Sequence, residues 1–364
     1  MVTELIYING RFLTQHVGGV QRFCREVVKA LDSCLGAGNC PLSDRRWILL
    51  VPAGADDAYC LKRIEIRRIG RFGGHLWEQL VLSRAASNGI LVNLANSAPL
   101  MHRRSITILH DAAVYRLPEN FAFLYRTFHR ILGWLIARRS KVGTVSEFSR
   151  SELASVLGID PASVFLVPNA CEHVLDISPD WSIVERHGLR VPRYFLMVAT
   201  PAPNKNIDRA ISAFASLKAA GIKLVLVGWA DRKVFRHIST SNIGDVIFAG
   251  RVSDGELMAL YRASTALVFP SLYEGFGIPP LEAMLHGCPV MASRIPIVEE
   301  VCGEAALYFD PYLVESIAGA MHQLLDNPEI PALFKQRGLV RARQYPWRVT
   351  AAKLLAAISE FDSG

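Results

Sequence analysis

The chain repeats one pattern twice, in which short apolar runs alternate with longer stretches of helical periodicity. The first series runs through 5–12, 47–52, 89–94, 106–110, 142–146 and 164–167, and the second through 194–199, 223–228, 246–250, 265–270 and 289–293. Runs this short, separated by helix-length segments, predict parallel strands, because a parallel connection needs a crossover long enough to hold a helix. Two such series within 364 residues predict two Rossmann-like α/β domains rather than one oversized core. The polar, proline-flanked segment Asp176–Pro192 between them reads as the linker. Ligands of such folds bind beyond the carboxyl ends of strands, so the residues that follow each run carry the chemistry.

One of these junctions is unusually explicit. Phe269 to Cys288 reads FPSLYEGFGIPPLEAMLHGC, in which a strand ends at Pro270 and Gly275 and Gly277 form a turn. Pro279 and Pro280 then sit where a helix begins, since a first-turn proline loses no intrahelical hydrogen bond. Helical spacing continues through Leu281, Met284 and Leu285. Strand, glycine turn and helix N-terminus in that order present free N–H groups and the positive end of a dipole, an arrangement suited to a phosphate. Glu274 and Glu282 frame the turn. Taken alone, Glu282 complements the helix dipole and Glu274 is a turn residue.

Other strand ends add functional groups. The run 194–199 leads into TPAPNKN, where Lys205 follows a proline-stiffened turn. A loop lysine is ordinarily solvated, but at a strand's carboxyl end it is placed to meet a diphosphate. His110 and Asp111 follow Ile106–Leu109; a lone histidine is ordinarily a packed one, and only its strand-end position and acidic neighbour set this one apart. Gly18 and Gly19 lead from the first strand into a helix with Val20, Phe23, Val27, Val28 and Leu31 on one face. No G-x-G-x-x-G is present, so a plain turn explains the glycine pair equally well.

Composition narrows the classes. An apolar fraction of 51% supplies substantial cores. Seven scattered cysteines with no C-x-x-C pair point to reduced thiols and a cytoplasmic protein rather than a disulfide framework or a zinc site. Met1–Gly10 lacks the features of a signal peptide, and no run of about 18 apolar residues predicts a membrane span. The net charge of +7 is concentrated: residues 101–150 hold nine Lys/Arg against three acids, leaving +6. Within that segment Phe121–Lys141 mixes aromatics with arginines, and Phe128, Ile131, Leu132, Leu135 and Ile136 recur at helical spacing. A half-buried helix with a solvated basic face accounts for this. An interfacial helix resting on anionic lipid, peripheral at the inner face of the plasma membrane, is the alternative. Nucleic acid is not an expected partner.

The EGFGIPPLEAM block, with its Glu-x7-Glu spacing, resembles the signature of the retaining GT-B glycosyltransferases of family 4, the group 1 glycosyl transferases. HDAAVYRLPENF, TVSEFS, VPNA, GGVQRF and the P-x-K-N turn resemble their counterparts in that family, so the likeness covers nearly the whole chain. It implies an α/β GT-B fold with two Rossmann-like domains facing a central cleft. The N-terminal domain, 1–180, would bind acceptor and the C-terminal domain, 181–340, the nucleotide-sugar, with a last helix at 341–364 crossing back to the first domain. That helix carries an apolar stripe of Trp347, Ala351, Leu354, Leu355, Ile358 and Phe361, which would serve packing on its own domain equally well.

Residue roles follow from the same likeness. Glu274 would contact sugar hydroxyls, Glu282 the ribose, and the amides of Gly275, Phe276, Gly277 and Ile278 the sugar and diphosphate. Lys205 with Asn204 would meet the diphosphate, Arg251 and Val252 belong to the base-binding turn, Gly18 and Gly19 line the donor side, and His110 reaches the donor sugar. Many members place an arginine ahead of the lysine, where this chain has Ala199, Thr200 and Asn204; either Lys205 with backbone help or Arg251 fills that role. No D-x-D occurs, so neither a metal nor another cofactor is expected. The overall pattern resembles bacterial mannosyltransferases of surface-polysaccharide assembly, which implies GDP-mannose as donor and a saccharide acceptor, either free or polyprenyl-diphosphate-linked. Donors carrying glucose, galactose, rhamnose or N-acetylglucosamine fit the same motifs. A glycoside hydrolase, a nucleotide-sugar epimerase and a noncatalytic membrane-associated scaffold are the competing readings.

Overall fold

The computed structural model describes residues 5–37, 40–55, 59–189, 191–200, 202–217, 221–228 and 245–363. Pro201 of the lysine turn and residues 1–4 of the segment tested for a signal peptide lie outside that set. The chain forms two compact units, Met1–Ala170 with Pro346–Gly364, and Cys171–Tyr345.

The first unit is built on seven parallel strands: β1 (Leu5–Asn9), β2 (Arg46–Val51), β3 (Glu65–Arg68), β4 (Gly89–Asn93), β5 (Ser105–Ile108), β6 (Lys141–Thr144) and β7 (Phe165–Leu166). Their order is β3-β2-β1-β4-β5-β6-β7, so the winding direction reverses between β1 and β4, where a doubly wound sheet opens a crevice. Six strands fall on the apolar runs of the sequence. The seventh, β3, reads EIRR and is partly exposed along its length. An edge strand pairs on one side only and needs no apolar run, and charge there discourages further pairing.

The helix Gly19–Gly36 buries Phe23, Val27, Val28 and Leu31, the face its spacing predicts. The last helix, Trp347–Ser363, packs on it. Trp347, Ala351, Leu354, Leu355 and Ile358 are buried, the Trp347 ring lies 6.1 Å from Phe23, and the Thr350 hydroxyl donates to the Pro168 carbonyl at 2.8 Å. The helix Phe123–Arg139 departs from its expected face. It buries Leu132, Gly133 and Ile136 but leaves Phe128 and Ile131 exposed. Gly133 is the reason, since a Cβ there would stand 2.6 Å from the Tyr115 hydroxyl; the missing side chain lets the helix turn that stripe inward.

The second unit holds six parallel strands, β8 (Tyr194–Val198), β9 (Lys223–Val227), β10 (Val246–Gly250), β11 (Ala266–Phe269), β12 (Val290–Ser293) and β13 (Leu307–Phe309). They run β10-β9-β8-β11-β12-β13, and Phe195, Met197, Leu226, Val268, Phe214 and Met321 share their core. Here the winding reverses between β8 and β11, so the turns after those strands are neighbours. The segment read as a linker packs on this unit: Ser182–Arg186 is helical with Ile183 buried, and the Asp180 amide donates to the Gly255 carbonyl at 2.9 Å. Ile183 and Leu189 are its buried anchors, while Trp181 and Val191 stay exposed among its polar residues.

Candidate functional site

β8 and β11 lie side by side, and the turns that follow them are tied together. The Leu272 amide donates to the Asn204 carbonyl at 2.7 Å, and Asn204 Nδ2 donates to the Tyr273 carbonyl at 3.0 Å. Asn206 takes the left-handed conformation, φ 54°, that asparagine tolerates better than most residues, and its side chain donates to the Pro311 carbonyl at 2.7 Å. This scaffold delivers Lys205 to Glu274: Nζ and Oε1 are 2.5 Å apart, with side chains 20% and 12% exposed. The lysine expected to meet a diphosphate and the acid expected to meet a sugar therefore face each other across the two turns.

Gly277 caps the helix Ile278–Leu285 with φ 91° and ψ 72°, and no side chain caps that end. A Cβ would meet the Phe269 ring at 3.4 Å, an ordinary contact, so the backbone angle rather than crowding is what requires glycine here. Pro279 and Pro280 have no N–H, and the first-turn donors are those of Ile278 and Leu281. Positive potential at the end of the dipole is thus concentrated on few amides.

Glu282, one turn into this helix, is buried. Tyr261 donates its hydroxyl to Oε2 at 3.1 Å, and His173 Nε2 stands 3.2 Å from Oε1. A carboxylate removed from water needs such partners, and they fix its direction. Burial and the adjacent carboxylate together push the Tyr261 phenol far above its ordinary range, so it remains a donor. His173 and Tyr261 are the residues that sequence reasoning missed. Neither sits in a motif; Tyr261 belongs to the helix Asp254–Ala263 and His173 to the turn Glu172–Asp176, and only the tertiary packing brings them to Glu282.

Arg251 and Val252 are placed differently. They follow β10, and β9 separates that strand from β8, so with neighbouring strands about 4.8 Å apart their start lies about 10 Å across the sheet from the end of β8. Arg251 is exposed. The structure brings together Asn204, Lys205, Glu274, Gly275, Phe276, Gly277, Ile278 and Glu282, and leaves Arg251 and Val252 at the far side of the same sheet end.

His110, Gly18 and Gly19 belong to the first unit and form their own group. The His110 ring meets Phe23, from the helix that Gly18 and Gly19 open, edge-on at 4.8 Å. Its Nε2 lies 2.8 Å from the Leu94 carbonyl, which only accepts, so Nε2 carries the proton. Burial lowers the pKa of His110 to about 4, and the neutral ring leaves Nδ1 as an acceptor. The group can position a hydroxyl but is not a cation at neutral pH. Gly18 has an extended backbone, φ −123°, and a Cβ on Gly19 would meet nothing within 4 Å. Neither backbone angle nor packing demands glycine at 19, and the space beside it is open.

Two doubly wound parallel units, one carrying a glycine turn with a lysine and two directed carboxylates at its switch point, define a GT-B protein of the nucleotide-sugar-using class. Residues 181–340 match the family described as glycosyl transferases group 1. The chain is 30% identical over 279 residues to O-antigen chain mannosyltransferase B of Escherichia coli, spanning 70% of this chain and 72% of that one. In fold it is similar to sucrose-phosphate synthase from Thermosynechococcus elongatus, with a TM-score of 0.74 and 17% identity over 99% of both chains. It is likewise similar to Anabaena HepE, solved in complex with UDP and glucose, with a TM-score of 0.73 and 18% identity over 98% of this chain and 100% of that one. The chain belongs to the group 1 glycosyl transferases and is a glycosyltransferase.

Proposed function

We propose that the protein transfers a mannosyl group from GDP-mannose to a saccharide acceptor, one carried on a lipid diphosphate in the assembly of a bacterial surface polysaccharide. The observation that carries the donor site is the meeting of Lys205 with Glu274 beside the glycine turn. The choice of mannose is supported by the O-antigen mannosyltransferase relative. Departure of a nucleoside diphosphate builds negative charge on its terminal phosphate. Amides at 275–278 and the Lys205 ammonium are held in place before the reaction, so they stabilise that charge without reorganising. Glu282, fixed by Tyr261 and His173, accepts from the ribose hydroxyls. Glu274 holds the sugar hydroxyls, the neutral His110 is the hydroxyl acceptor that the first unit offers, and the acceptor hydroxyl attacks from the face the diphosphate leaves, which retains configuration. Neither residue needs to act as a nucleophile.

A thermal-shift panel tests the donor. A ligand that binds only the folded state stabilises it by RT ln(1 + [L]/Kd), about 2.7 kcal/mol at 100-fold saturation. GDP-mannose is expected to raise Tm above UDP-glucose, UDP-galactose and UDP-N-acetylglucosamine, and to yield GDP once acceptor is present. A larger shift with a uridine nucleotide would move the donor to that class. Conversion of the donor into its epimer without acceptor would replace transfer altogether.

A further inference from the structure

The helix Phe123–Arg139 has two faces with different uses. Tyr125, His129 and Gly133, spaced by four residues, help line a cavity of about 390 Å³ in the first unit, together with Arg11, His75 and Asp111. Its outward side exposes apolar side chains to solvent: Leu124 is 81% exposed and Trp134 47%, and Phe123 and Ile131 are exposed with them. The helical stretch 74–85 touches this helix near its own start, where the His75 ring meets Phe128 at 5.1 Å, and carries Leu76 and Leu80, 69% and 68% exposed. At the other end Arg139 donates to the Leu100 carbonyl at 3.0 Å, which places exposed Met101 beside the same helix. Single exposed apolar side chains are ordinary, whereas a continuous group of them marks an interaction surface.

The charge around this group is mostly positive. Arg138 lies over the Trp134 ring at 3.8 Å, Arg126 over Phe123 at 5.1 Å and Arg130 over Tyr115 at 5.5 Å. These guanidiniums stack on aromatic side chains of the same helix and its neighbour. The acids within 71–141 are Glu78, Asp111 and Glu119. Glu78 is fully buried and sits 3.5 Å from Arg11 Nε, and Asp111 lies in the cavity wall; Glu119 is exposed, next to Pro118, whose carbonyl Arg126 approaches at 3.4 Å, and leaves the balance positive. A face that intersperses exposed apolar and aromatic side chains with arginines complements a negatively charged bilayer.

We propose that this face docks the first unit on an anionic membrane surface. Among the described residues no helix is long and apolar enough to cross a membrane, so the attachment is to one leaflet. If the function proposed above holds, docking brings the cavity behind the same helix to the headgroups, where a lipid-linked acceptor presents its sugar. The test is sedimentation of the full chain with phosphatidylcholine vesicles, with and without phosphatidylglycerol. Pelleting is expected with the anionic vesicles and falls as salt is raised. Leu124→Glu with Ile131→Glu, and separately Arg130→Glu with Arg138→Glu, are expected to reduce binding about tenfold or more. These side chains are exposed, and an unchanged Tm and donor-induced shift check that fold and donor site survive. No pelleting, or binding undiminished by both pairs, would overturn the proposal. So would a dimer in light scattering that the same variants dissolve, which would assign the face to a second copy. Donor binding is read independently, so failure on vesicles leaves the transferase reading standing.

Discussion

Lys205→Ala tests the donor site at its most exposed assumption. In the ligand-free protein the Lys205 ammonium is 2.5 Å from Glu274, with one side chain 20% and the other 12% exposed. A solvated pair contributes about 0–1 kcal/mol, and breaking a fully buried one costs about 3–5. This pair lies between those limits, so the substitution is expected to lower stability by about 1–3 kcal/mol. The effect on ligand is separable. If Lys205 meets the terminal phosphate, the variant loses one charged hydrogen bond, about 1.5–3 kcal/mol, or roughly 10–150-fold in affinity. Titration calorimetry with GDP and GMP makes the distinction. The variant is expected to lose most of the preference for diphosphate while GMP binding changes little. Folded Lys205→Ala protein that retains the full GDP preference would refute the assignment, and equal losses for GDP and GMP would reduce Lys205 to a support of the turn.

Three further outcomes follow from the geometry. Tyr261→Phe removes one of the two donors to the buried Glu282 carboxylate, a loss of about 1–3 kcal/mol; donor Kd should rise several-fold with kcat little changed, and an unaltered Kd would detach Glu282 from the ribose. Gly277→Ala puts a side chain at φ 91°, which should cost roughly 1–2 kcal/mol of stability and weaken GDP; denaturant unfolding that shows no loss would remove the conformational argument. His110, with its pKa lowered to about 4 by burial, binds its proton less readily folded than unfolded. The unfolded chain therefore holds more protons between about pH 6.5 and 4, and stability falls as pH drops through that window. His110→Phe should flatten the fall, and an undiminished slope would show that the ring is not held neutral.

The sheets were legible because most apolar runs of the sequence are strands whose two faces are both covered, as in Ile90–Val92 and Leu224–Leu226. The polar edge strand β3 escaped for the complementary reason. The glycine turn and the helix that follows could be read locally, since the φ of Gly277 and the prolines after it are properties of a few adjacent residues. The pairing of Lys205 with Glu274 rests on strand order, which places β8 beside β11, and the sequence alone does not specify that order. His173 and Tyr261 are further removed still, because they act on Glu282 only through packing. The outward turn of the helix Phe123–Arg139 is not legible from its stripe of apolar side chains, because it depends on Gly133, where a Cβ would stand 2.6 Å from the Tyr115 hydroxyl.

A crystal structure of the intact protein with GDP-mannose bears most directly on the central claim, that the turn at 275–278 grips the donor's diphosphate. The expected result is phosphate oxygens within hydrogen-bond reach of those amides and of Lys205, with the ribose hydroxyls on Glu282. A nucleotide bound elsewhere, with that turn unoccupied, would contradict it.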